Sequence, residues 1–439
     1  MARDAECTRI LSELRSLFPS RWLEATAREV GWLQRRRRIT PVAMFWTLVL
    51  GFGCGKERTL ASLRRTYELE TGDSLVPSSF YDRFTRPLVE FLRQAVARGC
   101  EQLCQRAAEG AVGEARARFD DIMGIDSTVL RLHDALSRHF PGTRTNHSPA
   151  AAKLHLVCSV LGRGPRSVKL TDERTHDARV RHLGSWVRGK LLLFDLGYYS
   201  FRAFSSIRRH GGSFITRLKD GANPELREIV EGTPTTVVQP GARLRDVLAR
   251  TRRDVLDVTA ELRFRKRTYR GVARAGRETF RIVAIRDATT RKFHVYVTDI
   301  DAEHLAADEI AAAYAARWTL ELIFKELKST YRLHQLPSTN RHVVEALILA
   351  SVLTLIVSRA LLAALARGLR AELRSRLRPL RWARVFTLHA ASLQALLLDP
   401  RQFSQRWKER WTRLLRHQAV DPNVTRDGLG DLARALQVS

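Results

Sequence analysis

Apolar residues recur at three and four spacing through the first quarter of the chain. RILSELRSLF, WLEATAREVGWLQ, PVAMFWTLVLGFG, TLASLRRTYELE and FLRQAVARGCEQLCQRAAE therefore read as helices separated by short breaks. One break, VPSSFYDRFT, places Pro77 before Ser78 and Ser79, which start helices, and fits either a helix-turn-helix or a structural helix pair. The pattern then changes. FDDIMGID, TVLRLH, KLHLVCSVL and SVKLT are short runs rich in Val, Ile and Leu between turn residues, which predicts strands. A helix candidate, HDARVRHLGSWV, leads into KLLLFD, the continuous apolar run of a strand buried on both faces. TTVV, DVTAELRFR, TYRGVAR, TFRIVAIRD and FHVYVTD, between Gly221 and about Asp299, predict an inserted set of strands. After them ADEIAAAYAARWTLELIFKELKSTYRL reads as a long helical segment, and basic helices carrying Trp382, Trp407 and Trp411 close the chain.

That order predicts an α/β protein: a mixed-sheet core with an all-β insertion, flanked by helical N- and C-terminal regions. The expected boundaries are a helical domain at 1–115, the core at 116–220 and 301–340, the insertion at 221–300 and a helical region at 341–439. With 439 residues, 44% of them hydrophobic, the chain can bury its cores without disulfides. Its five cysteines are scattered, without a CxxC pair, so reduced thiols are expected, with Cys100 and Cys104 serving helix packing. Charges in MARDAECTRILSEL stand where an export signal needs an apolar run, so a cytoplasmic protein is expected. Val343 to Ala366 is long enough to cross a bilayer, but Glu345 and Arg359 inside it favour a buried core helix and no membrane.

Charge narrows the class of partner. Lys and Arg number 75 against 46 Asp and Glu, a formal net charge of +29. An Arg-rich composition driven by a GC-rich genome accounts for part of this, and the remainder implies a polyanion. Nucleic acid leads over anionic membrane, because neutralising phosphates releases counterions whatever the sequence. The run Arg35, Arg36, Arg37 and Arg38 suits phosphate contact or forms a solvated cluster.

Metal-assisted phosphoryl transfer on DNA needs carboxylates from separate elements, since hard cations take oxygen ligands and magnesium keeps waters and substrate phosphate in its shell. Asp126 ends FDDIMGID before Ser127 and Thr128, a position that fits a strand-end ligand or a turn residue. Asp120 and Asp121 look like strand-start residues. Asp195 closes KLLLFD, and a charge ending so apolar a run calls for a partner or a metal. Tyr314, Arg317, Glu321 and Lys328 stand at offsets 0, 3, 7 and 14. At about 100° per residue they share one helix face, beside a stripe of Leu320, Ile323, Phe324 and Leu327. Lys325 falls on the same face and Glu326 points elsewhere, so periodicity alone does not choose the ligand.

The spacing Y-x2-R-x3-E-x6-K of these four residues resembles the signature of the YREK group of bacterial insertion-sequence DDE transposases. GIDST around Asp126, FDLGYYS around Asp195 and FITRLK from Phe214 to Lys219 extend the likeness over about Phe119 to Leu336. The resemblance implies an RNase H-like fold with Asp126 and Asp195 on neighbouring strands and Glu321 on a later helix, together binding Mg²⁺, with Mn²⁺ as substitute. The 321 − 195 = 126 residues between the last two would hold the family's β insertion. It further implies hydrolytic nicking at transposon ends, a hairpin intermediate and strand transfer, with Tyr314, Arg317 and Lys328 at the DNA phosphates. Phe293 or His294 in KFHVYVT would stack a flipped base, where the family uses Trp; a buried strand aromatic is the alternative for Phe293. The partners implied are double-stranded DNA, as terminal repeats and target, and a second copy of the chain. The N-terminal region would recognise the ends.

Overall fold

Strand-forming runs of the middle of the chain assemble into one sheet. The computed structural model describes residues 4–35, 38–55, 58–110, 118–143, 148–160, 164–180, 183–230, 239–269 and 272–423. Among them the strands are β1 (Asp121–Arg131), β2 (Ala151–Ser159), β3 (Gly164–Asp172), β4 (Lys190–Phe194) and β5 (Ser213–Arg217), followed by β6 (Glu225–Ile229), β7 (Val255–Tyr269), β8 (Val272–Arg286) and β9 (Phe293–Thr298). Their order is β3-β2-β1-β4-β5-β9-β8-β7-β6. β1, β4 and β5 run parallel and every other neighbour is antiparallel. Leu191, Leu192, Leu193 and Phe194 of β4 are all fully buried, as a central strand covered on both faces requires.

The insertion continues this sheet. β9 returns from the long β7–β8 hairpin and pairs with β5 through Ile215↔Thr298, Thr216↔Val297 and Arg217↔Tyr296, covering an edge whose backbone groups need partners. TTVV lies outside the described residues.

The helices are α1 (Asp4–Leu17), α2 (Ser20–Glu29), α3 (Pro41–Trp46, continued by π-helical turns to Phe52), α4 (Leu60–Thr71), α5 (Pro77–Tyr81) and α6 (Arg86–Gly110). In the core follow α7 (Asp177–Val180), α8 (Phe201–Arg209), α9 (Leu244–Arg250), α10 (Ala307–Ala315) and α11 (Trp318–Ser329). The last four among the described residues are α12 (Arg341–Arg367), α13 (Ala371–Arg374), α14 (Pro379–Leu398) and α15 (Gln405–Ala419). α8 covers one sheet face, stacking Phe204 on Phe214 at 4.3 Å between ring centroids. α10 and α11 cover the other. The mixed sheet, with the two aspartate-bearing strands adjacent and α11 after the insertion, is the RNase H-like arrangement that the motif resemblance implies.

α12 is the axis of the helical core, packing on α1, α6, α11, α14 and the π-helical turns after α3. It is long and apolar enough to cross a membrane, but its apolar surface is buried inside the fold. The two charges inside its apolar stretch are paired: Glu345 with Arg341 and Arg93, and Arg359 with the fully buried Glu326 of α11. Thr354 donates to the Val49 carbonyl at 2.6 Å. That bond ties α12 to the π-helical turns at a place where a side chain on Gly53 would clash with Thr354. The VPSSFYDRFT break itself holds the five-residue α5, which seats a fully buried Phe80. Among the described residues of HDARVRHLGSWV, Asp177–Val180 is helical and Ser185–Val187 forms a 3₁₀ turn after an extended Gly184 (φ −159°, ψ −159°).

Candidate active site

Parallel pairing sets the first two carboxylates side by side. Ile125 of β1 is in register with Phe194 of β4, so the next residues, Asp126 and Asp195, reach the same level at the C-terminal edge of β4. There β1 runs on to Arg131 against β2, whereas Asp195 leaves the sheet as the N-cap of a 3₁₀ turn, Leu196–Tyr198. Side chains alternate along a strand, so Asp126 shares its face with Ile122 and Gly124, and Asp195 with Leu191 and Leu193. Ile122, Leu191 and Leu193 pack under Ile310 of α10, which places both aspartates on the α10–α11 side.

The helical segment expected across Tyr314 to Lys328 is broken. Ala316, Arg317, Thr319 and Leu320 donate their backbone N–H groups three residues back, to Ala313, Tyr314, Ala316 and Arg317, in a tightened turn between α10 and α11. The break lets α10 lie on β5 and β8 while α11 turns onto β1. Tyr314 is consequently buried against Tyr296 of β9, with ring centroids 5.3 Å apart, and Arg317 begins α11. Leu320, Ile323, Phe324 and Leu327 are the buried stripe of α11, Lys325 is exposed, and Glu326 faces α12.

α11 comes this close to β1 because of Gly124. A Cβ there would overlap Cδ1 of the fully buried Leu320, the neighbour of Glu321. Gly124→Ala is therefore expected to cost about 1–3 kcal/mol in thermal or denaturant unfolding, as overpacking does. It should also displace Glu321 from Asp126.

Arg317 joins the carboxylates. Its Nη2 donates to Glu321 Oε1 at 2.7 Å and its Nη1 lies 3.7 Å from Asp126 Oδ2, while Asp126 Oδ1 accepts the Ser127 amide at 2.7 Å. Burial pushes the Asp126 carboxyl up to about 6, and the charges of Asp195 and Glu321 add to the shift against the pull of the Ser127 amide and Arg317. Burial likewise drives the Tyr314 phenol up to about 12, with Asp195 contributing. Asp126, Asp195, Glu321, Arg317 and Tyr314 thus form one electrostatic cluster. Lys328 stands two turns beyond Glu321 on α11, half-buried, with its pKa lowered by burial.

Among the described residues no three His, Cys, Asp or Glu side chains converge on one point. The arrangement offers pairs instead, Asp126 with Asp195 and Asp126 with Glu321. Their oxygens suit hard cations, and a carboxylate raised chiefly by burial, with two like charges nearby, gains from a bound cation.

Phe293 and His294 open β9, where β9 extends beyond the edge that carries Asp195. The Arg286 guanidinium lies 4.1 Å from the Phe293 ring centroid, and His294 Nε2 is 3.8 Å from Asp287. Arg35 and Arg38 are exposed, Arg38 donating to the Ser74 carbonyl at 3.1 Å. Arg36 and Arg37 lie outside the described residues. Two residues escaped sequence reasoning. Gly124 stood in GID with no visible role, and Trp318, 58% exposed beside Arg317, gave the signal of an aromatic inside the motif.

Residues 117–357 match the family described as Transposase DDE domain, a span holding both aspartate strands, the insertion and α11. The chain belongs to that family. The transposase for insertion sequence element IS231C of Bacillus thuringiensis subsp. berliner is 21% identical over 375 residues, 78% of this chain and 77% of that protein. The transposase for IS1151 of Clostridium perfringens is 20% identical over 306 residues, 63% of this chain and 64% of that protein. A piggyBac transposase synaptic complex with hairpin DNA aligns at TM-score 0.48 and 12% identity, over 94% of this chain and 86% of that one. DNA transposition is accordingly the class of activity of this DDE-domain protein.

Proposed function

We propose that the chain is the transposase of an insertion sequence. In this reading it nicks the element's ends, passes through a hairpin and joins the freed ends to target DNA. The observation that carries this reading is that Asp126 and Asp195 directly follow the paired residues Ile125 and Phe194 of two adjacent parallel strands, while Arg317 links Asp126 to Glu321 of α11. These three carboxylates would hold two magnesium ions, with manganese able to replace them, and bound ions of this kind activate the attacking oxygen and stabilise the leaving one.

The chain's other groups position the backbone. Arg317, anchored on Glu321, presents its guanidinium where a scissile phosphate meets the carboxylates, and Lys328 offers a second cation two turns along the same helix. Neither reads sequence. Tyr314, held un-ionised, backs Arg317 from the α10 side, its ring centroid 5.7 Å from the guanidinium carbon. Phe293 and His294 are the stacking candidates for an extruded base, and the exposed Arg35 and Arg38 lie in the region that would bind the ends. Two copies act together, since the reaction joins two ends.

The test is an assay on DNA carrying the element's own ends. With Mg²⁺ the protein is expected to cleave and join ends, and with EDTA to bind them without reaction. Binding in Mg²⁺ without turnover would make it a non-catalytic DNA-binding protein, and release of ends without joining would make it a nuclease. Lys328→Ala is expected to weaken end binding, with a shallower dependence of affinity on salt, by the loss of about one phosphate contact.

A further inference from the structure

On the opposite face of the sheet, behind the carboxylates, lies a second polar cluster. Ser127, the residue after Asp126, donates through Oγ to Asp177 Oδ1 at 3.2 Å. The same oxygen is 3.2 Å from Lys153 Nζ and 3.6 Å from His155 Nδ1. Strand register brings these groups together, since β2 places His155 opposite Ser127 and Lys153 opposite Val129. His155 Nδ1 also lies 3.0 Å from Tyr198 Oη, and its Nε2 lies 2.9 Å from Thr171 Oγ1 on β3. Tyr198 is the last residue of the 3₁₀ turn capped by Asp195, and its amide donates to the Asp195 carbonyl at 2.9 Å. Asp177 presses on the same turn, because a Cβ on Gly197 would stand 3.2 Å from its Oδ2.

Two chains of contact therefore leave Asp177 and His155. One ends on the Oγ of Ser127, whose amide holds Asp126, and the other on the turn that carries Asp195. β1 and β4 are paired only up to Ile125↔Phe194, one residue short of both aspartates. Beyond that point no ladder bond sets the separation of the two carboxylates, and the cluster spans the gap. Tyr198 is 2% exposed and His155 5%, so these two side chains are closed to substrate.

The geometry points to Asp177, Lys153, His155 and Tyr198 as positioning residues that hold Asp126 and Asp195 at the separation one divalent cation requires. This rests on the proposed carboxylate assignment. Outer groups that orient ligands commonly change metal affinity or activity by about 10–100-fold when removed.

The experiment uses the full chain and Mn²⁺ as probe, counting free Mn²⁺ by electron paramagnetic resonance. It runs beside the Mg²⁺ dependence of end cleavage and the thermal midpoint. Tyr198→Phe keeps the ring and removes only the hydroxyl, and Asp177→Asn keeps the shape. Both are expected to weaken Mn²⁺ binding about 10–100-fold and to raise by a like factor the Mg²⁺ needed for half-maximal cleavage, with saturated rates within a few-fold of the parent. Asp126→Asn is the reference and is expected to lose that binding. If Asp126→Asn loses Mn²⁺ while Tyr198→Phe and Asp177→Asn bind it like the parent, the positioning role is wrong and the carboxylate assignment stands. If Asp126→Asn itself binds like the parent, the carboxylate assignment fails. If Tyr198→Phe loses metal only because it unfolds at the assay temperature, the cluster is merely structural and the inference falls.

Discussion

Asp126→Asn is expected to abolish end cleavage while making the metal-free protein more stable. The carboxyl is pushed up to about 6 in the fold, chiefly by burial, from an ordinary value of 3.8. An acid with a raised folded-state pKa binds its proton more tightly folded than unfolded, so stability falls as pH rises from about 4 to about 6 and stays low above. The gap of roughly two units corresponds to about 3 kcal/mol. The side chain is 21% exposed, so solvent screens little of it. Removing the charge should recover much of that and raise the thermal midpoint at pH 7.5, with little change at pH 4. The parent should gain stability from added Mg²⁺ at pH 7.5, because the ion binds only the folded state, and lose that gain near pH 5 as protons compete. A variant that is inactive and also less stable at neutral pH would make Asp126 a structural residue. Asp195→Ala and Glu321→Ala are expected to lose cleavage too, with DNA binding kept.

The largest loss of stability is expected at Arg359→Met. Arg359 of α12 is the charge partner of Glu326, which is fully buried on the face of α11 away from the site. Removing the arginine strands a carboxylate in the core, and breaking a buried pair from one side costs about 3–5 kcal/mol. Denaturant unfolding reads the cost. A compensating Glu326→Leu in the same chain should return most of it, since a well-packed apolar pair replaces a buried ion pair at little cost. The single variant is expected to lose cleavage out of proportion to its unfolded fraction, because the Glu326–Arg359 pair sets α11 against α12 five residues from Glu321. Equal damage in single and double variants would mean that shape, not charge, holds α11.

Much of the site was legible. KLLLFD announced a strand buried on both faces that ends in a charge, because no surface strand tolerates such a run and no core leaves the charge idle. The apolar stripe of α11 was legible from its period, and the face it leaves carries Glu321 and Lys328 as read. The continuous helix was misread at Ala316 and Arg317. AARW contains neither Gly nor Pro, and the tightened turn exists because α10 and α11 pack on different strands of one sheet. A helix wheel counted across that turn no longer describes one face, which is why Tyr314 is buried against Tyr296 although Arg317 reaches the carboxylates. Gly124 was silent in the sequence for a related reason: its role is an absence of atoms that matters only when Leu320 arrives.

The sequence by itself determined which residues could carry charge, which faces had to be buried, and the order of helices and strands, because local periodicity and the cost of burying a charge act on neighbours along the chain. Only the tertiary structure decided the rest. Strand register placed Asp126 beside Asp195, and the closeness of α11 to β1 delivered Glu321. The pairing of β9 with β5 merged the insertion into the core sheet, and the Ser127, Lys153, His155, Asp177 and Tyr198 cluster formed behind the carboxylates. These are contacts between residues far apart in sequence, and their energy exists only once the whole sheet has closed.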